Sequence, residues 1–124
     1  MADDAYERGL EVRRAVLGDE HVDRALAGAT GLSAEFQELV TRYCWGEIWT
    51  RPGLDRKTRS CMTLVALVAG GRFEELELHL RGALRNGLTR DEIEEVLLHC
   101  AVYCGVPSAN SAFAVARRVL GETA

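Results

Sequence analysis

Glu74-Glu75-Leu76-Glu77-Leu78-His79-Leu80-Arg81-Gly82-Ala83-Leu84-Arg85-Asn86-Gly87-Leu88-Thr89-Arg90-Asp91-Glu92-Ile93 carries the decision about secondary-structure class. Leu76, His79, Leu80, Ala83 and Leu84 recur at three- and four-residue spacing, which is one face of an α-helix. This helix runs from Glu74 to Asn86, and Gly87 suits the left-handed position that follows a helix end. Thr89 and Glu92, three residues apart, form the capping-box pattern that opens a helix. The helix it opens buries Ile93, Val96, Leu97, Cys100 and Cys104.

The same alternation of helix and punctuation extends to both ends. Downstream, Gly105-Val106-Pro107 interrupts, and Ser108 to Leu120 repeats Ala109, Ala112, Phe113, Ala116 and Leu120 at helical spacing. Upstream, Gly70-Gly71 ends a helix capped by Asp55, whose Cys61–Ala69 portion is apolar on every side. An all-round apolar helix is expected in a large core or between subunits. Before it, Trp45-Gly-Glu-Ile-Trp-Thr-Arg-Pro-Gly-Leu54 reads as an irregular loop, because Pro52 disfavours helix at Arg51 and Gly53 supports a turn. Ser33 is a candidate N-cap for a helix carrying Phe36, Leu39, Val40 and Tyr43. A first helix is expected from about Asp3 to Leu17 and a short second one from His21 to Ala29, with a break at 28–31. No internal repeat or linker stands out. The expectation is one all-α domain over residues 1–124, with about six to seven helices.

Length and charge exclude several classes. The chain has 124 residues, 15 Lys+Arg against 19 Asp+Glu, and a net charge of −4. Without a basic block it is a poor partner for nucleic acid. No apolar run approaches the roughly 20 residues of a membrane span, and Met1-Ala2-Asp3-Asp4 carries acid where a signal peptide carries base. A cytoplasmic location is expected. Cys44, Cys61, Cys100 and Cys104 then read as free thiols behaving as small apolar residues. No metal site is expected, since His99 points away from the Cys100/Cys104 stripe.

Three places have the residue types for chemistry. His79 lies on the apolar stripe of its helix and is either a satisfied core histidine or a functional imidazole. The 45–54 segment offers Glu47 as an acid or base, Trp49 as an apolar wall and Arg51 as a planar fork for a carboxylate. The bland alternative there is tryptophan packing plus a Glu47–Arg51 ion pair. Tyr103-Cys-Gly-Val-Pro-Ser-Ala-Asn110 contains a helix start whose free N–H groups, near Val106 and Ser108, suit an anion or enolate. A plain helix corner is the competing reading.

Together, Trp45–Leu54, Asp55-Arg-Lys-Thr-Arg-Ser60, His79, Asn86–Ile93 and Tyr103–Asn110 resemble the carboxymuconolactone decarboxylase family, over about Tyr6 to Leu120. The resemblance implies an AhpD-like all-α fold assembled into ring-like homo-oligomers, commonly hexamers, with trimers possible. It implies carboxy-lyase activity: γ-carboxymuconolactone loses CO2 to give β-ketoadipate enol-lactone, in the protocatechuate branch of aromatic breakdown. No cofactor is implied, because the departing carboxylate sits on the carbon that the ring alkene links to the lactone carbonyl, which is its own electron sink. The implied roles are His79 as acid or oxyanion donor, Glu47 near the departing group or carrying the proton, and Arg51 on the carboxylate that stays. Trp49 and Tyr103 would line the pocket, and N–H groups near Val106 and Ser108 would add donors. The thiol-peroxidase branch of the same fold, or a non-catalytic ligand-binding oligomer, is the alternative. That branch's Cys-x-x-Cys-x-x-x-His pattern, aligned on His79, would place its thiols at Arg72 and Glu75.

Overall fold

The helical signals become α1 (Asp4–Leu17), α2 (Asp19–Ala27), α3 (Ala34–Leu39), a π-helix (Val40–Ile48), α4 (Arg56–Ala69), α5 (Phe73–Arg85), α6 (Arg90–Tyr103) and α7 (Val106–Val119) in the computed structural model, which describes residues 4–121. Asp3, expected to begin the first helix, lies outside the described residues. No strand occurs among them, and no helix is long and apolar enough to cross a membrane. The chain divides into two compact units, Met1–Asp55 and Arg56–Ala124.

In the first unit a single residue, Gly18, separates α1 from α2. Its φ of 88° is one that glycine adopts without a Cβ penalty. Arg14 spans this break, reaching Asp19 at 3.2 Å and Asp23 at 2.9 Å. Ser33 stands at the N-cap of α3, but its Oγ accepts from the Thr30 N–H at 3.0 Å instead of capping the helix.

The segment expected to be a loop from Trp45 is helical through Ile48. Here the helix is wide, with i→i+5 bonds such as the Trp49 N–H to the Cys44 carbonyl at 3.0 Å. The reason is tertiary: α1 packs on it backbone to backbone. A Cβ on Gly9 would collide with the Thr41 carbonyl oxygen, and one on Gly46 with the Ala5 carbonyl oxygen. The two glycines therefore allow an approach that any side chain would prevent. Past Ile48 the chain turns, and the Thr50 hydroxyl donates to the Gly46 carbonyl at 2.6 Å, satisfying one of the orphan acceptors of a helix end.

The second unit is built on Leu64, Val68, Leu76, Leu80, Ile93, Leu97 and Cys100, with Ala112 and Ala116 letting α7 approach. Helix α4 is not enclosed all round: Ser60, Leu64 and Val68 form its buried line, whereas Met62 is exposed. Within the chain, Met62, Ala66 and Ala69 make up its outer side, so the core alone does not enclose the helix. The capping box is present as expected. The Thr89 Oγ1 accepts from the Glu92 N–H at 3.1 Å, and the Glu92 carboxylate accepts from the Thr89 N–H at 2.9 Å. Lys57, 2.8 Å from Glu92, and then the Thr89 N–H hold that carboxyl below its ordinary range.

Gly87 has φ 98°, and the Leu88 N–H closes back onto the Ala83 carbonyl at 3.0 Å. Asn86 Nδ2 donates to Ser60 Oγ at 2.8 Å, tying the end of α5 to the start of α4. Helix α7 begins at Val106, two residues before the expected start, because Gly105 serves as N-cap and Pro107 sits in the first turn, where a missing N–H costs nothing.

Gly46→Ala is expected to destabilise the protein by about 1–3 kcal/mol or more through overpacking against Ala5. Thr89→Ala should cost about 1 kcal/mol through loss of the cap. Urea unfolding followed by circular dichroism checks both, and the glycine variant should be the more damaged.

Candidate active site

The wide helix and the turn after it set the first group of candidate residues. Trp45 is buried and Glu47 is exposed on the last turn of the π-helix. Trp49, half-buried, stacks on Trp45 with ring centroids 4.9 Å apart and planes at 28°. Arg51 follows on the exposed turn, with its N–H bonded to the Ile48 carbonyl at 3.1 Å. The extra residue per turn of a π-helix is a common way of re-aiming side chains at a functional site. It brings two indoles, a carboxylate and a guanidinium into one short stretch.

The second unit carries the other candidates. His79 lies on α5 beside the fully buried Leu76, Leu80 and Ala83, and is itself half-buried, so its imidazole sits at the edge of the core. Tyr103 ends α6, 75% exposed, with its ring tilted against His99 at 4.9 Å. Val106 opens α7 and is 69% exposed, and Ser108 is half-buried one residue past Pro107. The Ala109 N–H is taken by the Gly105 carbonyl at 3.1 Å, and Pro107 has no N–H. The donors left at this helix start are those of Val106 and Ser108. A concavity of about 300 Å³ in the same unit is lined by Ile93, Leu97, Phe113 and Leu120 with Arg90 and Arg117, and includes none of the sequence candidates.

Sequence reading overlooked Arg13. It is 5% exposed, and its Nη1 donates to Thr41 Oγ1 at 3.1 Å. The signal was its spacing, four residues after Gly9 and three before Val16, on the inner face of α1.

The carboxymuconolactone decarboxylase family profile matches residues 34–118, from the start of α3 almost to the end of α7. The 4-carboxymuconolactone decarboxylase of Acinetobacter baylyi is 46% identical over 117 residues, covering 94% of this chain and 87% of that protein. The nitrosuccinic acid decarboxylase npaB of Metarhizium robertsii is also 46% identical over 117 residues, covering 94% and 82%. The chain belongs to the carboxymuconolactone decarboxylase family.

The four cysteines are free thiols in different surroundings: Cys44 is exposed, Cys61 and Cys104 are half-buried and Cys100 is buried. Cys100 is buried, and burial, then its neighbour Cys104, push its thiol up to about 11, so it stays protonated near neutrality. No cluster of three or more metal-ligating side chains occurs among the described residues.

Alkylation with iodoacetamide at pH 8, quenched over time and read by mass spectrometry, is expected to modify the exposed Cys44 first and Cys100 last. Rapid labelling of Cys100 in the folded protein would contradict its assigned burial and raised pKa.

Proposed function

We propose that this member of the family decarboxylates γ-carboxymuconolactone to β-ketoadipate enol-lactone without a cofactor. The observation that carries the reading is 46% identity to a 4-carboxymuconolactone decarboxylase over 94% of the chain. The chemistry requires three things of the protein. It must hold a dianion, stabilise the dienolate formed as CO2 leaves, and protonate the ring.

Arg51 is assigned to the carboxylate that stays, because a cation on the departing carboxylate would stabilise the ground state and slow the loss of CO2. His79 is assigned to the lactone carbonyl oxygen, as hydrogen-bond donor or proton source. Glu47, exposed on the wide helix, would face the departing group or carry the proton. Trp49 and Tyr103 supply apolar walls, and the N–H groups of Val106 and Ser108 supply further donors toward negative charge. The assembly is proposed to be a homo-oligomer, a hexamer or trimeric ring. Leu98, Val102, Tyr103 and Val106 support that reading, since they leave a large apolar patch uncovered at the α6–α7 corner. A cytoplasmic site fits a small soluble-substrate enzyme of this kind.

The equal identity to a nitrosuccinic acid decarboxylase favours a second reading, in which a nitro dicarboxylate is the substrate. Both substrates carry two carboxylates and place an electron sink where the departing carboxylate can feed it. The same residues would serve, with the nitro oxygens in place of the lactone carbonyl.

The deciding experiment supplies freshly prepared γ-carboxymuconolactone and, separately, nitrosuccinate to the folded oligomer and follows CO2 release. Turnover of the lactone at the higher kcat/KM is expected, and none would sink the main reading. His79→Ala should reduce kcat by about 100-fold or more if the imidazole donates in the transition state. Arg51→Ala should act chiefly on substrate binding, raising KM by the equivalent of about 1 kcal/mol or more for an ion pair on an exposed turn. A KM unchanged from the parent enzyme would remove Arg51 from that role.

A further inference from the structure

Arg13 is an energetic oddity in the first unit. The residue is 5% exposed, its Nε is buried without an acceptor, and no carboxylate pairs with it among the described residues. The polar groups acting on it are the Tyr6 phenol and the Cys44 thiol, and burial pulls its pKa down. An apolar side chain of similar volume would fill the same space without desolvating a charge. The adjacent Arg14 faces outward and takes two carboxylates, so the two neighbours have opposite fates. Stability of the α1 contact therefore does not account for a cation at position 13.

Its one directed contact falls on the wide helix. Arginine can only donate, so toward Arg13 the Thr41 hydroxyl must accept, and its own proton has to go elsewhere. That proton goes to the Gln37 carbonyl at 2.8 Å. The chain Arg13–Thr41–Gln37 thus joins α1 to the last turn of α3 and the first turn of the π-helix, where the backbone changes register. Thr41 is also the residue whose carbonyl oxygen abuts Gly9. Helix α1 lies outside the segment matched by the family profile, which begins at residue 34.

We propose that Arg13 is a positioning residue for the decarboxylation: through Thr41 it locks the register of the wide helix that presents Glu47 and Trp49. The proposal rests on the function inferred above for the catalytic effect, but not for the structural one. Arg13 touches no reacting atom. Its effect is on the angle at which the last turn of the π-helix holds its side chains.

The test uses the full chain with Arg13→Met, Arg13→Lys, Thr41→Val and Thr41→Ser. Two readouts are taken: the near-ultraviolet circular dichroism couplet of the stacked Trp45–Trp49 pair, and kcat and KM separately. Arg13→Met and Thr41→Val are expected to keep their far-ultraviolet helix signal, to lose much of the couplet, and to lower kcat by about 10- to 100-fold with a smaller change in KM. Thr41→Ser, which keeps the hydroxyl, should retain both couplet and kcat. Arg13→Lys, which keeps the charge but not the fork, should fall between.

A wild-type couplet and kcat in folded Arg13→Met or Thr41→Val would overturn the proposal, as would equal damage in Thr41→Ser and Thr41→Val. Where the Met variant does not fold, the Ser/Val pair and Arg13→Lys decide by the same criteria. If the parent enzyme turns over neither substrate, the functional reading fails while the couplet still decides the positioning role.

Discussion

The first unit depends on a contact with no side chains in it. Gly9 on α1 and Gly46 on the π-helix bring two helix backbones so close that a single methyl group on either would meet a carbonyl oxygen. Everything else there follows from that closeness. Thr41 comes within hydrogen-bond reach of Arg13, and Trp45 is buried. The wide turns between Val40 and Ile48 have a surface to lie against. A π-helix is rare because its bonding geometry is poorer than that of an α-helix. Here it is held by tertiary contact, with Thr41 near one end and Thr50 at the other each donating to a carbonyl four residues back.

The second unit has a different logic. Its order comes from local signals that each close a few backbone groups: a capping box at Thr89, a left-handed glycine at 87, a proline in the first turn of α7. Between these, leucines and alanines interlock in an apolar core to which aromatic rings contribute little. Such a scaffold can hold His79 at the margin of the core, where an imidazole is shielded without being sealed off.

This contrast explains what could be read from the residues in advance. The capped helices of the second unit were legible because their signals lie within four residues of each other. The faces of α6 and α7 were legible because helical spacing repeats over a dozen residues. The wide helix was not, since Trp45–Leu54 contains the proline and glycines of a turn, and only the partner helix reveals that the first four residues are helical. For helix α4, apolar composition does not say which side the core of the chain covers: Ser60, Leu64 and Val68 are inside and Met62 is outside. Of the candidate site, the segments were legible from their unusual pairing of tryptophan with arginine and glutamate. Arg13 was not, because in the charged sequence of α1 a second arginine beside Arg14 looks like another solvated residue.

The π-helix also has a consequence for how this chain can change over evolutionary time. A wide turn accommodates one more residue than an ordinary one. Deleting a single residue between Val40 and Ile48 would let the helix relax to standard pitch, and the narrowing of the turns would offset part of the rotation of about 100° that the same deletion causes in an ordinary α-helix. The residues inside the wide turns, Glu47 among them, would be re-aimed with their identities unchanged. Substitutions in this stretch alter what a side chain can do, whereas a one-residue deletion changes where the side chains of the wide turns point. The segment should therefore accept replacement more readily than a change in its length.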